Sequence, residues 1–288
     1  MDSANGRIRI GNERYVNNML MNFGMQECKP ASTPMDPALS YSSDGAKGAQ
    51  VSDKAEVPYR EAIGSLLYLS LTTRPDISHA VGVLSRFCES PRLVHWEGIK
   101  RIMRYLKGTA SYALIYECNK EESQISAYCD ADHGGCEDTS RSTSGVLLKY
   151  GFFFCIGWQS KRQSTVAVST AEAEYVAAYK AAQEVSWYRM FLKGLGVGFT
   201  ENATILRVDN QSAIKMIKRT TGLNRTKHIR IKYHYVQEKF QDNEITLEYT
   251  PSKENQADVL TKQVLKDQYN YLLVKIGLIS TSSGSVGV

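Results

Sequence analysis

The sequence predicts an α/β protein in which a mixed sheet carries helices on both faces, preceded by a small helical region. Three observations lead there. From residue 112 onward the apolar pattern switches between period two and period 3.6 in the order βββαβα, and strands followed by helices alternating with strands build a mixed sheet. Residues 59–107 show helical spacing instead. The composition, 42% hydrophobic and 23% charged over 288 residues, is that of an ordinary globular protein, with room for one large domain or two modest ones.

Taken in order, residues 7–23 alternate and then turn helical, with Tyr15, Met19 and Phe23 in register. Residues 29–58 carry Pro30, Pro34, Pro37 and Pro58 among small polar residues and read as an extended linker rather than packed structure. Ile63, Leu66, Leu67 and Leu71 then recur at helical spacing until Thr73-Arg74-Pro75-Asp76 breaks the run. A second helix runs from Ile77 towards Cys88. A third runs from Leu93 to Lys107, with Trp96, Ile99, Met103 and Leu106 on one face, Lys100, Arg104 and Lys107 on another, and Gly108 as its stop. Strands are expected at 112–117, 124–130, 143–150 and 152–158, and a long helix at 170–194. A strand at 203–209, helices near 211–219 and 225–241, a strand at 244–250 and a helical pair after Pro251 complete the pattern. The small, polar end of the chain, 279–288, reads as a disordered tail.

The net charge of +5 permits a polyanionic partner without demanding one. No run is long and apolar enough to span a bilayer, and the first residues lack the apolar core of a signal peptide. Six cysteines, at 28, 88, 118, 129, 136 and 155, form no Cys-x-x-Cys pair, so a reducing, intracellular setting is the simplest expectation. Cys129, His133 and Cys136 lack a fourth nearby soft ligand, and their spacing fits no common closed zinc site.

Four carboxylates carry the chemistry. Asp130 ends the run Ile-Ser-Ala-Tyr-Cys-Asp, Glu174 lies early in the long helix, Asp209 closes Ile-Leu-Arg-Val-Asp, and Asp258 sits in Asn-Gln-Ala-Asp-Val-Leu-Thr-Lys. Hard divalent cations take oxygen ligands, and two-metal phosphodiester hydrolysis needs acids converging from separate elements. Each acid also has a plain structural role available. Asp209 could cap the next helix, and Asp258 could balance Lys262 at i+4. Glu172, three residues after Ser169, fits a capping box. Glu174 shares the inward stripe with Ala178, Ala181, Ala182 and Val185, where an acid needs a partner. Asp130 and Asp132 compete for the first position; Asp130 is favoured at the strand end and Asp132 as a turn residue. For any one acid alone the structural role is at least as credible, and the set of four tilts the balance.

The words around these acids come in a recognisable order. Tyr-Cys-Asp-Ala-Asp (128–132), Arg-Ser-Thr-Ser-Gly (141–145) and Trp-Gln-Ser-Lys-Arg-Gln (158–163) precede Val-Ser-Thr-Ala-Glu-Ala-Glu-Tyr (168–175). Asp-Asn-Gln-Ser-Ala-Ile (209–214), Arg-Thr-Lys-His-Ile (225–229) and Asn-Gln-Ala-Asp-Val-Leu-Thr-Lys (255–262) come after it. This resembles the ribonuclease H domain at the end of a copia-type retrotransposon Pol polyprotein. Phe-Gly-Met-Gln-Glu-Cys-Lys-Pro (23–30), Tyr-Arg-Glu-Ala-Ile-Gly-Ser-Leu-Leu-Tyr-Leu (59–69), Thr-Arg-Pro-Asp-Ile (73–77) and Tyr-Leu-Lys-Gly-Thr (105–109) resemble the end of the reverse transcriptase and the connecting region. The resemblance spans nearly the whole chain. It implies residues 1–28 as the reverse transcriptase end, 29–58 as linker, 59–120 as helical connection region and 121–278 as a ribonuclease H-like domain built on a mixed five-stranded sheet with helices on both faces. It also implies Asp130, Glu174, Asp209 and Asp258 as catalytic, metal-binding acids. Cys129 stands where Ser is usual in the family and His133 where Trp is usual, and residues 249–255 lack the mobile His of many cellular ribonucleases H. No Tyr-x-Asp-Asp polymerase motif is present, so polymerase chemistry should be absent, and Met1 is expected to mark a truncated gene or a gene-model boundary.

Between Asp209 and Glu238 there is no acid, while Lys215, Lys218, Arg219, Arg225, Lys227, His228, Arg230 and Lys232 fall there. A stretch of one sign beside the acids favours phosphate contacts over a solvated helix face. Lys161 and Arg162 add candidates from before the long helix. The expected activity is hydrolysis of the RNA strand of an RNA–DNA hybrid with two Mg²⁺ ions about 4 Å apart, Mn²⁺ substituting, and with selectivity from 2′-hydroxyl contacts. Expected partners are the hybrid and the absent reverse transcriptase portion. The alternative is a catalytically idle nucleic-acid-binding fragment; a transposase or integrase on the same fold fits the acid pattern less well.

Overall fold

The computed structural model describes residues 7–37, 39–42, 57–117, 124–151, 154–196, 202–219 and 227–280, with only the backbone for 227–233. Contacts divide the chain into two units, residues 1–117 with 263–288, and residues 118–262.

The first unit joins strands β1 (Arg7–Ile10), β2 (Tyr112–Glu117) and β8 (Leu278–Ser280), all antiparallel, in the order β1-β2-β8. Its helices are α1 (Glu13–Asn22), α2 (Tyr59–Thr72), α3 (Ser78–Leu84), α4 (Leu93–Gly108) and α8 (Lys266–Ile276). α1 buries Val16, Met19 and Leu20, a stripe one residue off the Tyr15 and Phe23 expected at its edges. The helix expected from Ile77 to Cys88 is broken: a 3-10 turn at Pro75–Ile77 precedes α3 and another at Ser85–Phe87 comes after it. Arg74, 1% exposed, explains the Thr-Arg-Pro-Asp punctuation. Its Nε and Nη2 fork onto Asp76, and its Nη1 donates to the Thr109 carbonyl. The hydroxyl of Tyr105 donates to Asp76 Oδ2, and that of Tyr269 to the Asp76 carbonyl. A buried ion pair holds where such hydrogen bonds satisfy both partners.

Two expectations need correction here. Of the stretch expected as an unpacked linker, 43–56 lies outside the described residues, but 29–37 and 39–42 are anchored. Thr33, Met35 and Tyr41 are buried, and Arg101 pairs with Asp36 at 2.9 Å. The basic side of α4 serves this segment: Arg104 Nε donates to the Lys29 carbonyl and Lys107 Nζ to that of Gln26. The second correction is at the carboxyl end. Residues 263–278, expected within the ribonuclease H-like domain, group with the first unit, and Ile279 and Ser280, expected as disordered tail, pair with Ala113 and Tyr112. Periodicity reports an element, not its partner, and β8 is three residues long. Residues 281–288 lie outside the described residues.

The second unit holds the mixed five-stranded α/β sheet, order β5-β4-β3-β6-β7, from β3 (Ile125–Asp132), β4 (Thr143–Tyr150), β5 (Phe154–Arg162), β6 (Thr204–Val208) and β7 (Ile245–Tyr249). β3, β4 and β5 form an antiparallel meander; β6 lies parallel to β3, and β7 parallel to β6. This is the ribonuclease H-like architecture expected. α5 (Thr170–Gly194), α6 (Gln211–Lys218) and α7 (Lys227–Gln241) pack with the sheet around Ala127, Cys129, Val146, Leu148, Leu206 and Val208. From the helix, Tyr175 and Val185 join Ala177, Ala178, Ala181 and Ala182 in that core, and the small alanine side chains bring α5 close to the strands. A 3-10 turn at Gln256–Leu260 packs on β3 and β4, at the position of Gly145.

Candidate active site

β3 and β6 lie side by side and parallel, Cys129 opposite Val208, so Asp130 and Asp209 emerge at the same end of the sheet. Strand alternation sends Ile125, Ala127 and Cys129 into the core and Asp130, one residue on, out of it. Asp209 is the first residue beyond β6. It does not cap the next helix: Asn210 does, its Oδ1 accepting from the Ala213 amide. Glu174, in the second turn of α5, is buried and its Oε1 accepts from the Ala131 amide at 3.2 Å. Carboxylate oxygens of Asp130, Glu174 and Asp209 all lie within 4.8 Å of one another. Asp258, buried in the 3-10 turn, stands outside that trio and is bridged to it by Lys262, whose Nζ lies 2.9 Å from Asp258 Oδ1 and 3.6 Å from Asp130 Oδ2.

The competing acids have structural partners. Asp132 accepts from the Thr143 amide where β4 begins. Ser169 Oγ accepts from the Glu172 amide, and Glu172 closes the cap on the Val168 amide, one residue upstream of the usual capping-box donor.

Supporting groups hold the site acids. Thr261 Oγ1 hydrogen-bonds Asp130 Oδ2, and Ser252 Oγ donates to Asp209 Oδ2 at 2.7 Å. Asn255 Nδ2 donates to the Cys129 carbonyl at 2.9 Å while its Oδ1 accepts from Ala257, tying the turn that carries Asp258 to the strand that carries Asp130. Sequence reasoning missed Ser252, Asn255 and Thr261, and treated Lys262 only as a possible counter-charge to Asp258. The signal was available, since three of the four fall in the same eight-residue word as Asp258.

Burial first, then Asp130 and Asp209, pushes the Glu174 carboxyl up to about 9. Burial and Asp130 raise Asp258 to about 7 against the pull of Lys262. Asp130 is raised chiefly by burial, with Lys262 and Thr261 opposing. Burial would lower the Lys262 ammonium, but Asp130 and Asp258 outweigh it and hold it above its ordinary value. Burial and mutual repulsion therefore disfavour the ionised carboxylates, and these acids keep protons that a cation bound among them would displace. Glu174 Oε2 is buried and finds no hydrogen-bond partner among the described residues. An oxygen-only donor set with an orphaned carboxylate oxygen fits a hard divalent cation.

The expected basic residues divide. Lys215, Lys218 and Arg219 are exposed on and just after α6, immediately beyond Asp209. Lys161 is exposed on β5, and Arg162 is half-buried with Nη1 against Cys136 Sγ. Arg225, and the side chains of Lys227, His228, Arg230 and Lys232 on α7, lie outside the described residues. Cys129, His133 and Cys136 face different partners. The Cys129 thiol points at the Arg207 carbonyl, and burial keeps it protonated; His133 Nε2 lies 3.1 Å from the Ala167 carbonyl.

No family model matches the chain. Among curated proteins it is 38% identical over 95% of its length to the retrovirus-related Pol polyprotein from transposon TNT 1-94 of Nicotiana tabacum. It is 33% identical over 94% to that from transposon RE1 of Arabidopsis thaliana. The chain spans 20% and 18% of these relatives' own lengths. Among solved structures, ribonuclease H1 from the halophilic archaeon Halobacterium salinarum aligns with 50% of this chain and 98% of its own, at 18% identity and a TM-score of 0.37.

Proposed function

The chain belongs to the copia-type retrotransposon Pol family, matching about a fifth of those polyproteins, and from that premise we propose that it is a metal-dependent endoribonuclease cutting the RNA strand of RNA–DNA hybrids. The observation that carries the proposal is the convergence of Asp130, Glu174 and Asp209 within 4.8 Å, with Glu174 Oε2 buried and partnerless among the described residues. A protein leaves such a cluster under-compensated at a cost of several kcal/mol unless a cation completes it.

Asp130, Glu174 and Asp209 would hold one Mg²⁺, and Asp130 with Asp258 a second. Bound there, the ions would supply an activated water and Lewis acidity at the scissile phosphate. The protein's own contribution is orientation. Thr261 and Ser252 fix the carboxylates of Asp130 and Asp209, the Ala131 amide fixes Glu174, and Asn255 sets the turn bearing Asp258. The exposed cations Lys215, Lys218 and Arg219, which follow Asp209 in sequence, would meet the phosphates of a bound hybrid, and the exposed Lys161 on β5 would add a further contact. Selectivity for RNA would come from contacts to 2′-hydroxyls.

The test is a hybrid labelled on its RNA strand, incubated with the full chain in Mg²⁺ or Mn²⁺. Cleavage is expected in the wild type and none above background in Asp130→Asn with unchanged folding. Full activity in Asp130→Asn overturns the assignment of the site. Salt-dependent hybrid binding without cleavage by the folded wild type replaces the nuclease reading with that of an idle binding fragment.

A further inference from the structure

Lys262 holds a place in the acid cluster that the family's four-carboxylate pattern leaves undescribed. Its Nζ sits between Asp258 and Asp130, at 2.9 and 3.6 Å, and those two side chains are 8% and 2% exposed. We propose that Lys262 is an exchangeable counter-ion. In the metal-free protein its ammonium occupies the second cation position between Asp130 and Asp258, and it withdraws to solvent when a divalent cation binds there. The inference rests on the metal-site reading above and extends it to the order in which cations load.

The contrast with Arg74 in the same chain carries the argument. Arg74 is 1% exposed, forks onto Asp76 through two nitrogens and has further bonds to Thr109, which is the geometry of a permanent pair. Lys262 has one polar atom, reaches both acids by approach of that point charge, and keeps its side chain 41% exposed. An ammonium on a flexible four-carbon stem is released more readily than a guanidinium fork.

The two poles of the cluster also differ. Glu174 Oε2 and Asp258 Oδ1 are both buried without a hydrogen-bond partner among the described residues, but only at the Asp258 pole does an ammonium already stand against the oxygen, Lys262 Nζ at 2.9 Å. A first cation therefore enters the Asp130, Glu174 and Asp209 pole unopposed, and a second must displace Lys262. A site blocked in nine molecules of ten binds about tenfold more weakly than the same site left open.

The measurement is Mn²⁺ binding to the full chain by calorimetry, with thermal melting in a chelator, for the wild type, Lys262→Met, Lys262→Arg and Asp258→Asn/Lys262→Met. The wild type is expected to bind in two steps, the weaker one tightening about tenfold in Lys262→Met. Without metal, Lys262→Met should melt several degrees below wild type and regain the difference in Mn²⁺. Lys262→Arg should keep the wild-type metal-free melting point, and the double variant should recover it by removing the uncompensated acid. An unchanged isotherm in Lys262→Met overturns the proposal, as does a weakened second step, which would make Lys262 a support for the cation rather than its rival. Neither readout uses cleavage, so a wild type that loads Mn²⁺ in this pattern yet cuts no hybrid sinks the nuclease reading and leaves the counter-ion standing.

Discussion

Single residues in this chain show two solutions to the burial of charge. In the second unit, acids are packed against one another and only partly neutralised, as befits a place where charge is to be added later. In the first unit charge is either paired completely, as in Arg74 with Asp76, or suppressed. His79 is suppressed: it is buried on α3 with Nδ1 unpartnered among the described residues, and burial, with Arg86, lowers its pKa from 6.5 to about 3. A folded-state value below the unfolded one means that unfolding takes up a proton between those limits. Stability is therefore fully present above about pH 6.5 and drains as pH falls towards 3, by at most about 1.4 kcal/mol per pH unit for one group. Melting of the first unit, monitored from pH 7 to pH 4.5, should fall more steeply in the wild type than in His79→Leu, which keeps the side chain apolar at every pH. Parallel slopes in the two proteins would remove His79 from the account.

At the scale of elements, the connection between strand and turn is where the site is most exposed to a small change. Gly145 lies opposite Asp130 in the register of β3 and β4. A Cβ placed there would meet Thr261 Cγ2 at 2.7 Å, the Ala257 carbonyl at 2.9 Å and Leu260 Cβ at 3.0 Å. Gly145→Ala must push the 3-10 turn off the sheet, carrying Thr261 and Asp258 away from Asp130. Overpacking of this kind costs about 1–3 kcal/mol, and the expected result is a lower melting point together with loss of hybrid cleavage. A variant that melts lower yet cleaves at the wild-type rate would show that the turn relaxes without moving the acids. The Arg-Ser-Thr-Ser-Gly word was legible as a motif, but its final glycine has no meaning until the turn it accommodates is seen, more than a hundred residues later. Elements with strong local signals read well: α5 occupies the expected 170–194, with Ser169 capping it, and β4 the expected 143–150. Asp209 was legible as the residue that closes β6 and Glu174 as an acid on the inward stripe of α5. Asp130, two residues inside the end of β3, and Asp258, in the middle of a 3-10 turn, were legible instead from the words around them. What escaped were features set by distant partners: the anchoring of residues 29–37 and 39–42 by α4, the buried Arg74–Asp76 pair behind the expected break at 73–76, and the three-residue β8.

On the scale of the whole chain, the division between units does not follow sequence order. The sheet that carries the acids is complete by Lys262, whereas the first unit takes its third strand and a helix from the last residues. Local patterning cannot reveal this, because α8 is amphipathic whichever unit it serves; the cue is Tyr269, whose hydroxyl reaches the Asp76 carbonyl. A chain ending after Lys262 therefore loses structure at the opposite end of the sequence from the cut. It forfeits the burial of Tyr269, Leu272, Leu273, Ile276 and Leu278, all 3% exposed or less. At about 1.5–3 kcal/mol for each large apolar side chain, this is a loss on the order of 10 kcal/mol, comparable with the roughly 5–15 kcal/mol that separates a folded domain from its unfolded chain. Hydrogen exchange on the truncated protein should find the amides of α4 and β2 unprotected, while those of β3, β4 and β6 stay protected. The three acids should still bind Mn²⁺, since none of their ligand oxygens or supporting groups lies beyond residue 262. Retained protection in α4 and β2 would mean that the first unit folds without its carboxyl-terminal strand and helix. Collapse of protection in β3 instead would mean that residues 263–280 support the acid-bearing sheet after all.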